Sequence, residues 1–462
     1  NKGAMTYPKP QGVSVRGQSM DAVDLHDKVV HPSEDGRPRS PLESLSKKYN
    51  RNEREIRRLR NSVSFQLGLH LTNAFRKPWK LLFLPLSFPI HALMLGLKRI
   101  GKRSFSEEIL PLNSKERKNC IVLFPTNGVG FGHFTRMYAV ARALRKQDSE
   151  LEIVFFTPMP TLHVLYSDDF PTYHLAGRYK HASMTATEWN GLVEDMLHLV
   201  FEAHRPKWFM FDGAYPYRGM LNAIASQPDM GKWWMKRGSL KKNKTIPVDS
   251  ASFFDGFIIP GDEKIVGNDN EHIVSPIRVF DYEEVWSREY SRSRLSVPVD
   301  SKIVYVQLGA GRINEIEDMV QHVLDALFQF PEVYVVLGES MLGARLEVKH
   351  DRLRIIRDYP NSLYCRGFDA SVQAGGYNSY HEMRAFGIPT LFIPNTETGM
   401  DDQLSRCMGA EGEGWGLVYM PSEGDNLNSK IRKLFSIVPQ RHTESNGANS
   451  VPKILGIDKL LK

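Results

Sequence analysis

The feature that most constrains this chain is an alternation, repeated twice, of short apolar runs with longer segments of helical period. Cys120–Pro125 (CIVLFP) is continuously apolar and only six residues long, which predicts a parallel strand buried on both faces. Glycines follow it, then the helical run Thr135–Lys146, the strand Glu152–Thr157, a stretch of helix formers and a third strand, Trp208–Asp212. The pattern restarts at Lys302: KIVYVQLG reads as a strand, Glu315–Phe330 as a helix, and VYVVLG, LRIIRDY, SVQAGG and PTLFIP as further strands around the helix Ser379–Phe386. Strands alternating with helices predict βαβ units on parallel sheets. Two such units, at about 118–280 and 300–425, define an α/β chain with two Rossmann-like domains facing a cleft.

The expected organisation is a disordered or extended tail at 1–40 and a helical region at 41–110. A Rossmann-like domain follows at 111–295, and a second at 296–425. The tail at 426–462 is expected to return to the first domain. Asn1–Ala4, before Met5, read as a cloning remnant, and no charged-then-apolar leader follows them. At 41% hydrophobic and 24% charged, the 462 residues can build sizeable cores. Cys120, Cys365 and Cys407 are far apart and show no metal-ligand spacing, which argues for a reducing compartment.

The net charge of +7 gathers in residues 51–103, as RNEREIRRLR, RKPWK and KRIGKR. A basic block beside apolar residues fits an anionic membrane surface at least as well as nucleic acid, and no nucleic-acid partner is expected. Leu42, Leu45, Tyr49, Asn52, Ile56, Leu59 and Val63 follow a heptad seam that either self-associates, making a homo-oligomer through 42–63, or packs on its own domain. Leu81–Leu97 is almost wholly apolar but short for a span, and Pro85 and Pro89 break its helical hydrogen bonds. An in-plane attachment is expected, with Arg76, Lys77, Lys80, Lys98 and Arg99 at headgroup level and Trp79 as interfacial anchor. The alternative is a helix–turn–helix packed on the catalytic part.

Three motifs carry chemistry. The first, Asn127–His133 (NGVGFGH), places glycines after the first strand, so that a helix N-terminus faces the cleft with the titratable His133 beside it. Gly130 and Gly132 would lie against the acceptor, and His133 would be a general base, an acceptor ligand or a capping residue. In the second, Gly375, Gly376, Asn378 and Ser379 open a helix whose N–H groups can hold a diphosphate. Glu382 would accept from a ribose or complement the helix dipole. The third, Asp401-Asp402-Gln403 after PTLFIP, suits sugar hydroxyls, with an ordinary N-cap as the alternative. Trp234 and Arg237 in KWWMKR could form an acceptor platform or belong to the core, and Asp212 could orient His133 or act as a second base. No Asp-x-Asp occurs in the chain, so no metal bridge to a diphosphate is expected, and helix dipoles and backbone amides must stabilise the leaving group.

The glycine loop with its histidine, AGGYNSYHEMRAFGIPTLFIP and DDQ together resemble the MurG-like (family 28) glycosyltransferases over roughly 118–425, most strongly over 365–410. That resemblance implies a GT-B, inverting, metal-independent hexosyltransferase that takes a UDP-sugar as substrate and needs no cofactor. It implies that Gly309, Ala310, Gly311, Gly375 and Gly376 lie at the diphosphate with Asn378, that Glu382 holds the ribose, that Asp402 and Gln403 meet the hexose, and that Tyr359 packs on the uracil. Phe131 interrupts the family's consecutive glycines, QLGAGR lacks its serine-rich turn, and the first 110 residues have no counterpart in it. A polyprenol- or lipid-linked acceptor in bacterial surface polysaccharide or glycolipid synthesis, at the cytoplasmic face of the membrane, is therefore the expectation. A nucleotide-sugar hydrolase or epimerase of the same fold, or a membrane-tethered scaffold, are the alternatives.

Overall fold

The computed structural model describes residues 63–76, 83–99, 116–126, 131–160, 162–178, 184–236, 248–261, 270–309, 316–339, 348–396, 401–421 and 426–457. It divides into two compact units, residues 1–106 and 107–462.

The first unit contributes two helices, α1 (Val63–Arg76) and α2 (Leu84–Arg99), packed on each other, with His70 Nε2 3.1 Å from Ser87 Oγ. Of the heptad seam only Val63 lies within the described residues, and Lys77, Trp79 and Lys80 lie outside them. Arg76 closes α1, and Lys98 and Arg99 close α2. The prolines do not break α2. Pro85 sits in the first turn, where its missing N–H would be unbonded in any case, and Pro89 forfeits one bond within an otherwise continuous helix. Among the described residues no helix is long and apolar enough to cross a membrane.

The second unit holds two sheets. The strands of the first are β1 (Lys118–Pro125), β2 (Glu152–Thr157), β3 (Thr172–His174), β4 (Pro206–Asp212), β5 (Gly231–Met235), β6 (Gly256–Pro260) and β7 (Glu271–Val274), in the order β3-β2-β1-β4-β5-β6-β7. The second comprises β8 (Lys302–Gln307), β9 (Val333–Gly338), β10 (Leu353–Ile356), β11 (Ala370–Gln373), β12 (Thr390–Phe392) and β13 (Gly416–Val418), in the order β10-β9-β8-β11-β12-β13. Every neighbouring pair is parallel. The central strands are buried along nearly their whole length, because helices cover both faces of such a sheet, and this is why they read as unbroken apolar runs.

The helices that matter for the site are α3 (Gly132–Gln147), after β1; α4 (Ala186–His204), before β4; α5 (Tyr377–Phe386), after β11; and α6 (Gln403–Gly412), after β12. In each sheet the chain reverses its direction of winding between the first strand and the fourth, β1 and β4 in one, β8 and β11 in the other. At such a switch point neighbouring loops diverge and leave a crevice at the C-terminal strand ends, where ligands bind.

The C-terminal segment packs back on α3. A 3-10 turn at Gly447–Ser450 and the helix α7 (Val451–Ile454) bury Ala448, Val451 and Leu455 in the same core as Tyr138 and Ala139. Asn446 clamps the backbone of Arg278, accepting from its N–H (3.1 Å) and donating to its carbonyl (2.8 Å). Gly447 lies so close to the Ser275 carbonyl that any Cβ would collide with it.

Candidate active site

Two helix N-termini meet at these crevices. The helix α3 begins at Gly132 after Phe131, and α5 begins at Tyr377 after Gly376; neither carries a side-chain cap. Their first N–H groups lack intrahelical partners and carry the positive end of the helix dipole, which favours an anion. The Asn378 amide donates to the Gly132 carbonyl at 3.3 Å, joining the two ends across the cleft. Among the described residues, nothing lies within 4 Å of a Cβ added at Gly132, Gly309 or Gly376. Gly309 (φ +107°) and Gly375 (φ +77°) adopt the left-handed conformation that glycine tolerates best, and a Cβ on Gly375 would also strike Cys407 Sγ.

Beneath α3 lies a buried cluster in which the sequence offered the pairing of His133 with Asp212 but not the part of Arg136. His133, second residue of α3, and Asp212, last residue of β4, come together because β1 and β4 are neighbours. Arg136, one turn further along α3, completes the group: its Nε donates to Asp212 Oδ2 (3.0 Å) and its Nη2 to Oδ1 (2.6 Å). His133 Nδ1 lies 2.7 Å from Asp212 Oδ1. Burial alone would push the Asp212 carboxyl up, but Arg136 and His133 hold it below the ordinary carboxylate range. An ionised carboxylate only accepts, so the Asp212 contact calls for a hydrogen on His133 Nδ1, whereas Arg136 Nη2, 3.0 Å from the same nitrogen, would donate to a lone pair there.

Of the two readings of Asp212, orienting His133 or acting as a second base, this geometry fits the first. Its side chain is wholly buried and its oxygens are engaged by Arg136 and His133, so it orients the imidazole. Trp234 is likewise not an acceptor platform. It is 0% exposed, packs among Phe211, Phe254 and Phe257, and donates its indole N–H to the Gly213 carbonyl (3.0 Å). Tyr359 stacks on Phe131 (5.3 Å between centroids) and donates to Thr135 Oγ1 (2.9 Å), so it ties the second sheet's loops to α3.

The loop after β12 is held from within. Asp402 caps α6, accepting from the Ser405 N–H (3.1 Å) and hydroxyl (2.8 Å). Gln403 accepts from the Asn395 N–H (3.0 Å). Asp401 pairs with Arg406 (2.8 Å), which also donates to the Gly375 carbonyl (3.1 Å). Both side chains of the Asp402–Gln403 pair therefore shape the loop. Arg406 and Arg136 each lie against the ring of Tyr377, at 5.8 and 5.3 Å from its centroid. Gly130, Arg237, Ala310 and Gly311 lie outside the described residues. Ser379 lies in the first turn of α5.

At the end of β11, Gln373 is fully buried, and neither polar atom of its amide has a hydrogen-bond partner among the described residues. Glu382 is the sixth residue of α5, beyond the first turn that an acid complementing the dipole would occupy. Burial raises its carboxyl to about 7. The folded protein thus holds a proton on Glu382 that the unfolded chain releases near pH 4.5, so stability falls as pH rises from about 4.5 to about 7. Glu382→Gln is expected to stabilise the protein by on the order of 1–3 kcal/mol at pH 8 and by little at pH 4, read from urea melts at the two values. Equal effects at both would refute the shift.

In its fold the chain is similar to known GT-B enzymes. The spinosyn forosaminyltransferase SpnP superposes with a TM-score of 0.50 and 16% identity, over 74% of this chain and 93% of its own. The UDP-GlcNAc 2-epimerase of Methanocaldococcus jannaschii gives 0.50 and 14%, over 73% and 99%. MurG of Acinetobacter baumannii gives 0.46 and 13%, over 73% and 99%. No family model matches the chain, and no curated protein matches it in sequence. The fold is GT-B: two parallel sheets of Rossmann type with their C-terminal edges at a common cleft.

Proposed function

We infer that this chain is a metal-independent inverting glycosyltransferase that moves a sugar from a UDP-sugar to a hydroxyl of a lipid-linked acceptor. The observation that carries the reading is the meeting of two uncapped helix N-termini above the buried His133–Asp212–Arg136 cluster. The diphosphate lies at the start of α5, against the N–H groups after Gly376, with Gly309 opposite. Glu382 takes the ribose hydroxyls. His133 Nε2 removes the acceptor proton as the hydroxyl oxygen attacks the anomeric carbon. The bond to the diphosphate oxygen breaks in the same displacement, and the leaving charge is met by the α5 terminus. Asp212 fixes the tautomer and offsets the imidazolium charge, as the carboxylate does in a hydrolase triad.

Incubation of the purified chain with UDP-hexoses and a polyprenyl-phosphate-linked acceptor, read by mass spectrometry, tests this. A glycosylated acceptor supports it. Free sugar at the same rate with and without acceptor, or an epimerised nucleotide-sugar, would replace it with hydrolase or epimerase chemistry.

The address we assign is the inner face of the cell membrane. It is supported by Phe65, Phe75, Phe83, Leu86 and Ile90, all exposed on the α1–α2 hairpin, and by the basic residues flanking it in sequence. Deleting 63–99 is expected to abolish pelleting with anionic liposomes at low salt, and unchanged pelleting would rule the anchor out.

A further inference from the structure

At the opposite end of the first sheet from the cleft, three side chains of metal-binding type converge. Cys120 on β1 and Glu152 on β2 are direct partners in the parallel pair, so their side chains emerge on the same face. His204 lies in the last turn of α4, and Arg205 then turns the chain in a left-handed conformation into β4, accepting at its carbonyl from the Lys118 N–H (2.8 Å). That turn delivers the imidazole to the other two: the Cys120 Sγ, a Glu152 carboxylate oxygen and a His204 ring nitrogen all lie within 4.8 Å of one another. His204 Nδ1 is 2.8 Å from Glu152 Oε1, and its Nε2 is 2.8 Å from the Tyr173 hydroxyl on β3.

We propose that Cys120, Glu152 and His204 form a zinc(II) site that pins the end of α4 to the edge of the first sheet. One thiolate, one imidazole and one carboxylate are a zinc donor set, soft enough to discriminate against magnesium and calcium. With bonds of about 2.0–2.3 Å, tetrahedral ligand atoms sit about 3.5 Å apart, so the His204–Glu152 pair, 2.8 Å apart, opens by somewhat under an ångström to admit the ion. Water fills the fourth position, on the partly exposed side where Glu152 and His204 lie. Two further features favour a cation here. The C-terminus of α4 directs its negative dipole end at the site. Tyr173 is placed to accept from Nε2–H, which turns the Nδ1 lone pair towards the ion, as an outer partner does for a metal-bound histidine. Binding replaces the thiol proton, which leaves to solvent as the sulfur–zinc bond forms. The site lies away from the cleft, so it is independent of the transfer chemistry.

The test is equilibrium dialysis of the full chain against zinc with excess magnesium, followed by metal analysis, and a cobalt(II)-loaded sample read for a thiolate-to-cobalt charge-transfer band. About one equivalent of zinc, and a band that Cys120→Ser removes while circular dichroism stays native, are expected. Tyr173→Phe should weaken zinc by about 10-fold or more. If Cys120→Ser does not fold, His204→Gln, at a partly exposed ligand, must show the same loss of zinc. Absence of stoichiometric zinc in the unmodified chain overturns the proposal and leaves a hydrogen-bonded chain from Cys120 to Tyr173. Zinc and band unchanged in Cys120→Ser or His204→Gln overturn it equally, assigning the metal to other residues.

Discussion

His133→Ala is expected to lower the rate of sugar transfer by about 10²–10⁴-fold, the range for losing a positioned general base. Donor affinity, measured by calorimetry with the UDP-sugar, should change no more than a few-fold, because His133 is assigned to the acceptor side. Asp212→Asn should fall on the same axis. The amide keeps the shape but no longer holds Nδ1–H as a carboxylate does, so kcat drops while the donor KM holds. Transfer by His133→Ala at the unmodified rate would remove the imidazole from the mechanism. A loss confined to donor binding would move it to the diphosphate.

The second large effect concerns stability. Arg136 and Asp212 are both almost fully buried and share two hydrogen bonds. Removing one partner leaves the other charge without its counterion, which typically costs about 3–5 kcal/mol. Arg136→Met is therefore expected to lower the unfolding free energy by that amount at pH 7, measured by urea titration. The direction with pH follows from Asp212. Its carboxyl is held below the usual range, so the stability it contributes is present above the unfolded Asp value of about 3.9 and is lost as pH falls through the lower folded value. In Arg136→Met the counterion is gone and burial dominates. Asp212 then takes up a proton more readily, and the cost of the variant should shrink towards acid pH. Arg136→Met with Asp212→Asn should recover part of the loss, since no ionised group is stranded. A double variant that is the sum of its singles would show the pair to be energetically independent.

Arg136 illustrates how the site divides between sequence and structure. It stands three residues after His133, a spacing that puts both on one helical face, and that signal was available in GHFTR. What the spacing lacks is the partner: Asp212 is 76 residues away. The proposed donor side was more legible, because it is local. Gly375, Gly376, Asn378 and Glu382 lie on one strand–turn–helix, and a helix start after two glycines can be read from eight consecutive residues. Trp234 misled for the converse reason. KWWMKR looks amphipathic, but β5 is an interior strand, flanked by β4 and β6, and Trp234 fills the core beneath it. Asp402 and Gln403 read first as sugar ligands, with an ordinary N-cap as the alternative, and only their Ser405 and Asn395 partners reveal the second role.

By itself the sequence determined the two-sheet α/β class, the strands at 120–125, 152–157, 208–212, 302–309 and 333–338 to within two residues at either end, and the glycine turns that open helices towards the cleft. It could do so because strands buried on both faces must be apolar throughout and because tight turns demand glycine, constraints that act within a few residues. Tertiary structure alone decided that β1 lies beside β4, and hence that Arg136 joins His133 and Asp212, a pair the sequence offered as one alternative, in one buried charge cluster. It alone laid Tyr359 on α3, and it alone gathered Cys120, Glu152 and His204 at the far edge of the same sheet. Strand order depends on which faces pack best once all the strands exist, and no local pattern of residues encodes it.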